Sequence, residues 1–161
     1  MNMADYTLEE KASFTVLGFG TELMSYYTDF SGLNKEKSDF WQTISQDGRL
    51  ETLKAIATND YIFAVNEAVN NKMMHYAGVM TEASAPEEAR VIQFPKGEYL
   101  VVKGEEKTAD ELENKLAGLA FGQVLPEAKN FAYVGGPNTT ALMGQRNGLV
   151  FGEIWIPVVR K

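Results

Sequence analysis

One order of elements occurs twice along this 161-residue chain: a strand, a helix, then two strands. The first round opens with an extended stretch over residues 6–22, in which Phe14 and Val16 alternate with polar or small residues. Gly18 and Gly20 there mark a bend or a close approach of backbones. Residues 28–38 read as a loop. A helix follows with Phe40, Trp41 and Ile44 on one face, is interrupted at Asp47-Gly48, and resumes its period at Leu50, Leu53, Ile56 and Ala57. Two strands, at residues 61–65 and 72–81, flank the turn Asn70-Asn71.

The second round has strands at residues 89–94 and 98–103 around the turn Pro95-Lys96-Gly97. Thr108-Ala109-Asp110-Glu111 is a capping box, which opens a helix carrying Leu112, Leu116, Leu119 and Ala120 inward. Gly122 is expected to stop that helix, and strands follow at residues 131–134, 139–144 and 149–159. No residue-level repeat accompanies the repeated order. The expected fold is α+β: duplicated strand-helix-strand-strand units, built of antiparallel sheets, with pseudo-twofold symmetry around a central ligand cleft.

A chain of this length buries roughly 70% of its unfolded surface, so one core is within reach and two are not. The halves, about 1–83 and 89–161, are joined by the acidic, proline-containing stretch 82–88 and are each too small to stand alone. A single domain over 1–161 is expected. There is no cysteine, which removes disulfides, thiolate metal sites and a cysteine nucleophile, and suits a cytoplasmic location. The net charge of −7, with no basic run longer than two, argues against direct nucleic-acid binding. No apolar run approaches the ~20 residues that span a bilayer, and the first residues lack the pattern of a signal peptide.

Most enzyme signatures are missing. His75 is the only histidine, so a two-histidine zinc motif cannot form, and neither a metal nor a cofactor is expected. Gly18-Phe19-Gly20 lacks the third glycine of a dinucleotide loop, and neither a phosphate-binding loop nor a nucleophile elbow occurs. A lone histidine on a strand is most simply a buried structural residue.

The closing strand is more informative. Along Leu149-Val150-Phe151-Gly152-Glu153-Ile154-Trp155-Ile156-Pro157, alternation puts Phe151, Glu153 and Trp155 on one face. Val150, Gly152, Ile154 and Ile156 form the other, which reads as core. A carboxylate between two aromatics is either a solvated surface or a groove wall suited to planar cations, which gain about 0.5–2 kcal/mol over an aromatic face. Tyr76 and Met80, on the matching strand of the first half, are either core or further ligand contacts.

These segments resemble the gyrase-inhibitor-like family of small-molecule-binding proteins, which includes effector-binding domains of AraC- and MerR-type regulators. Phe14-Thr15-Val16-Leu17-Gly18 is similar to the family's opening strand. Phe94-Pro95-Lys96-Gly97-Glu98-Tyr99 is similar to its Pro-x-Gly-x-Tyr turn, and Gly152-Glu153-Ile154-Trp155-Ile156-Pro157 to its closing strand. Trp41 falls where members often have a first-helix tryptophan. The resemblance implies a stand-alone, monomeric binder of hydrophobic aromatic molecules, in some cases cationic, that senses or sequesters xenobiotics. Its implied ligand contacts are Glu153, Trp155, Phe151, Tyr76, Met80 and Trp41. Several drug-binding members carry another acid in the preceding strand, where this chain has Asn138-Thr139-Thr140-Ala141-Leu142. Two alternatives accompany this reading. One is a cofactor-independent hydrolase of cyclopropane-bearing or other electrophilic compounds, with Glu153 and Tyr76 as catalytic groups. The other is a protein-interaction role such as gyrase modulation.

Overall fold

A computed structural model describes residues 6–26 and 28–161. Its strands are β1 (Thr7–Lys11), β2 (Phe14–Leu23), β3 (Ile62–Val69), β4 (Lys72–Val79), β5 (Arg90–Phe94), β6 (Gly97–Glu106), β7 (Phe131–Tyr133), β8 (Asn138–Arg146) and β9 (Leu149–Arg160). All pairings are antiparallel, in the order β1-β6-β9-β8-β3-β4-β2-β5, with β7 also on β9. The centre of that order holds the duplication. Each half contributes a three-stranded block, β2-β4-β3 or β6-β9-β8, and the blocks meet where β3 pairs with β8. The outcome is one continuous antiparallel sheet.

The edges are exchanged. β1, at the start of the first half, pairs with β6 of the second, and β5, just after the connector, pairs with β2 of the first. A cut at residues 82–88 therefore does not divide the sheet into two sectors.

The sheet is strongly curled into a half-barrel. In a flat sheet β2 and β9, four places apart, would be separated by about 19 Å. Yet the Phe14 ring on β2 meets the Trp155 ring on β9 edge-on at 5.6 Å and the Tyr99 ring on β6 at 5.9 Å. These rings, with Phe63, Val65, Tyr76, Ile92, Phe94 and Val101, fill the inside of the curl. Curling at this density requires residues without side chains. A Cβ on Gly152 would overlap the Ala141 carbonyl oxygen, and one on Gly18 would lie 2.5 Å from that of Ala77.

The helices cover the outside. α1 (Phe30–Gln46) sets Phe40 and Ile44 against Ala77. α2 (Arg49–Ile56) sets Leu53 against Phe19 and Val79. α3 (Ala109–Leu119) sets Leu112 and Leu116 against Leu100, Val102, Ile154 and Ile156.

Two helix boundaries differ from the sequence reading. α1 begins at Phe30, inside the expected loop 28–38. Its first turns are nearly all polar and include Gly32 and Asn34, so propensity and periodicity conceal them. Tertiary contacts supply the stability instead: Asp29 caps the Gly32 amide at 3.0 Å, Leu33 is buried, and Glu36 accepts the amides of Met24 and Ser25. Nor does Gly122 stop the second helix. α3 continues through a π-helical turn (Ala120–Val124) into α4 (Leu125–Glu127), because Ala120 and Val124 are buried while Gly122 faces outward at no steric cost.

The threonine half of the expected capping box is formed, with the Glu111 amide donating to Thr108 Oγ1 at 3.1 Å. Thr108→Ala should cost about 1 kcal/mol in a thermal melt, a loss of cap energy. An unchanged melting curve would show that solvent caps the helix equally well.

Candidate functional site

The site grows out of the seam between the halves. On the outer face of β3 and β8 the register sets Ala64 opposite Thr140 and Asn66 opposite Asn138. This strip carries small and polar residues, and so does its neighbour β4, where Ala77 lies opposite Ala64 and His75 opposite Asn66. α1 and α3 lie on either side of it. Helical spacing brings Ser38, Trp41, Gln42 and Ser45 of α1 to face Ala109, Asp110 and Glu113 of α3. With Leu142 of β8 they line an open cavity of about 340 Å³.

Buried polar groups run from one wall to the other. The Trp41 indole N–H donates to His75 Nε2 at 2.9 Å, and His75 Nδ1 meets Asn66 Oδ1 at 2.8 Å. An indole nitrogen can only donate, so His75 Nε2 is an acceptor and its proton sits on Nδ1, given to Asn66. That uses the Asn66 carbonyl oxygen, and the Asn66 side chain also favours the ionised form of the nearby Glu113 carboxylate. From α1, Lys37 Nζ approaches the same carboxylate at 3.2 Å.

Charge states follow from these contacts. Burial pushes His75 down to about 4, with Glu113 opposing and Lys37 reinforcing the shift, so the ring is neutral at neutral pH. Burial alone would raise Glu113, but the charges around it, with the Lys37 ammonium at 3.2 Å, outweigh it and hold its carboxyl below the usual range. The seam therefore holds an anion beside an indole. Sequence reasoning passed over Glu113, which sits among the polar residues of α3 and belongs to no motif. Its only signal was its place one residue after Leu112, on the edge of that helix's apolar face.

The residues chosen from sequence divide between the two faces of the sheet. Trp41 is on the cavity wall. Glu153, Trp155 and Tyr76 belong to the inner face, where Trp155 and Tyr76 are buried in the aromatic core and Met80 packs at its margin. Phe151 lies under the Arg146 guanidinium at 4.4 Å. Acid and indole do sit together as the alternation implies, but they bind each other: Trp155 Nε1 donates to Glu153 Oε1 at 2.8 Å. The chain's own lysines fill the remaining positions, Lys11 Nζ at 4.0 Å over the Trp155 ring and Lys103 Nζ at 3.9 Å from Glu153. Tyr76 packs its ring against Gly20, and burial raises its hydroxyl above the ordinary tyrosine value.

Residues 7–158 match the family model described as integron-associated effector binding protein (Cass2). The chain belongs to this family. No curated protein sequence matches it. Solved structures share its gyrase-inhibitor-like fold. SAV2435 bound to tetraphenylphosphonium is 20% identical with a TM-score of 0.76, over 96% of this chain and 94% of that one. An integron cassette protein from the mobile metagenome of Vibrio cholerae is 11% identical with a TM-score of 0.60, over 96% and 95%. EcmrR, solved in a complex with DNA, is 13% identical with a TM-score of 0.64 over 98% of this chain and 58% of that one. At these identities the likeness is one of fold. Among the described residues of this effector-binding protein, no helix is long and apolar enough to cross a membrane.

Proposed function

We propose that this protein captures hydrophobic cations in the cleft between α1 and α3, with Trp41 as the flat wall and Glu113 as the counter-charge. The observation that carries this reading is the ionised, nearly buried carboxylate of Glu113 on the wall of an outer-face cavity. A carboxylate in such a place has little water to stabilise it, so an organic cation gains more there than at an exposed acid. The likeness to a protein solved with tetraphenylphosphonium supports the same ligand class. Glu113 also stands on the same outer face as β8, so α3 supplies an acid although the strand itself has none. Sensing or sequestration of xenobiotics is the role that fits such a binder, by itself or with a protein partner.

Binding is better supported than hydrolysis. The hydrolytic alternative needs Glu153 and Tyr76 open to a substrate, whereas Glu153 accepts from Trp155 at 2.8 Å and Tyr76 is buried in the aromatic core.

Titration calorimetry with tetraphenylphosphonium tests the reading. Glu113→Gln should weaken binding by at least about tenfold, as expected when one partner of a desolvated charge pair is truncated. Should Glu113→Gln bind as tightly as the parent while Glu153→Gln loses affinity, the ligand occupies the inner face beside Trp155.

A further inference from the structure

If the cleft takes cations, something must hold its charge when it is empty, and the geometry points to Lys37. We infer that Lys37 is a tethered competitor, a cation of the chain's own that occupies the counter-charge position on Glu113 until a ligand displaces it. This rests on the cleft reading above and adds the device that sets its selectivity.

Three observations carry it. Lys37 Nζ is 3.2 Å from Glu113 Oε1, so it already supplies the counter-charge that a ligand's positive centre would offer this acid. The partners differ in freedom: the lysine side chain is 19% exposed on a flexible four-carbon stem, whereas that of Glu113 is 7% exposed. The lysine can swing out to water while the acid stays in place. Finally, the other acids near it on α1 are engaged elsewhere, Glu36 with the amides of Met24 and Ser25 and Asp39 with Lys35. Lys37 is thus the cation that serves Glu113 in the empty protein.

A tethered ammonium has a consequence for ligand choice. Charge alone gives a ligand no advantage, because it replaces one cation by another. The surplus must come from apolar area laid on Trp41 and Leu142, so the preferred class is a bulky cation with aromatic or aliphatic groups, and small ammonium ions are rejected.

Tetraphenylphosphonium and tetraphenylborate, nearly the same shape with opposite charge, make the test. Removing the ammonium with Lys37→Met should tighten phosphonium binding about tenfold and weaken borate binding. Because Lys37→Met leaves a buried acid without its partner, Lys37→Gln, which keeps a donor, is measured beside it, and thermal melts confirm that both are folded. The unmodified protein gives an independent readout. Acylation of Lys37, followed by peptide mass spectrometry, should accelerate when phosphonium is added. The inference is overturned if neither variant tightens phosphonium binding, or if the ligand leaves Lys37 acylation unchanged or protects it. In that case an intact Glu113→Gln effect preserves the cleft reading. Loss of the Glu113→Gln effect itself removes both.

Discussion

Gly152→Val is expected to lower the melting temperature by roughly 10 °C or more, the largest effect of any single substitution considered for this protein. Gly152 pairs with Gly104 on one side and Leu142 on the other, in the first half of the closing strand. A Cβ there overlaps the Ala141 carbonyl oxygen, and the obstacle is backbone inside a sheet rather than the end of a flexible side chain. Neither strand can retreat without breaking pairing with its other neighbour. Overpacking of this kind costs about 3 kcal/mol or more. Gly118→Ala is the matched control, because that glycine is exposed in α3 with open space around its Cβ position. The change should stabilise by about 0.5–1 kcal/mol through helix propensity. If Gly152→Val melts with the parent, the curl of the sheet does not depend on this close approach.

The second large effect is acid lability through His75. Its native value of about 4 lies below the 6.5 of an unperturbed imidazole. The unfolded chain therefore binds the proton more readily, and unfolding takes up a proton between these two values. The contribution of this residue is present in full above about 6.5 and is lost as pH falls toward 4. A shift of that size corresponds to about 3 kcal/mol. The charged groups facing the ring are Glu113 on α3 and Lys37 on α1; the first raises its value and the second lowers it. Urea unfolding from pH 7 to pH 4 should show the decline, and His75→Gln, which cannot titrate, should flatten it. An equal slope in the variant would assign the acid sensitivity to carboxylates elsewhere.

Both effects bear on function. His75 and Glu113 act on each other through charge, so protonation of the ring would put a second positive charge near the carboxylate that the proposed ligand needs. Gly152 belongs to the strand that lets the sheet curl, and the curl separates a packed inner face from an outer face with a seam between helices.

Local sequence determined a good deal. Alternation along β9 put Val150, Gly152, Ile154 and Ile156 on one face and Phe151, Glu153 and Trp155 on the other, and the structure keeps that division. The lone histidine was legible as a buried structural residue. The duplicated element order was legible because each unit announces itself through turns, caps and periodicity of short range. The family, too, was carried by short strings of residues at the turn and the closing strand.

What only the tertiary structure decided is which face of the sheet looks at what. Alternation sorts side chains into two sets, but the direction of curl chooses which set becomes the inside of a half-barrel and which lies beneath the helices. That direction depends on strand order, on β1 and β5 changing halves, and on glycines whose partners are 60 residues away or nearby by pairing alone. Hence an acid and an indole in one strand were visible as a pair but not as a pair that closes on itself and on two lysines. The cluster of Trp41, His75, Asn66, Glu113 and Lys37 was invisible for the same reason. Its members come from α1, β4, β3 and α3, and no local rule of spacing joins residues that only pairing across the seam brings within hydrogen-bond reach.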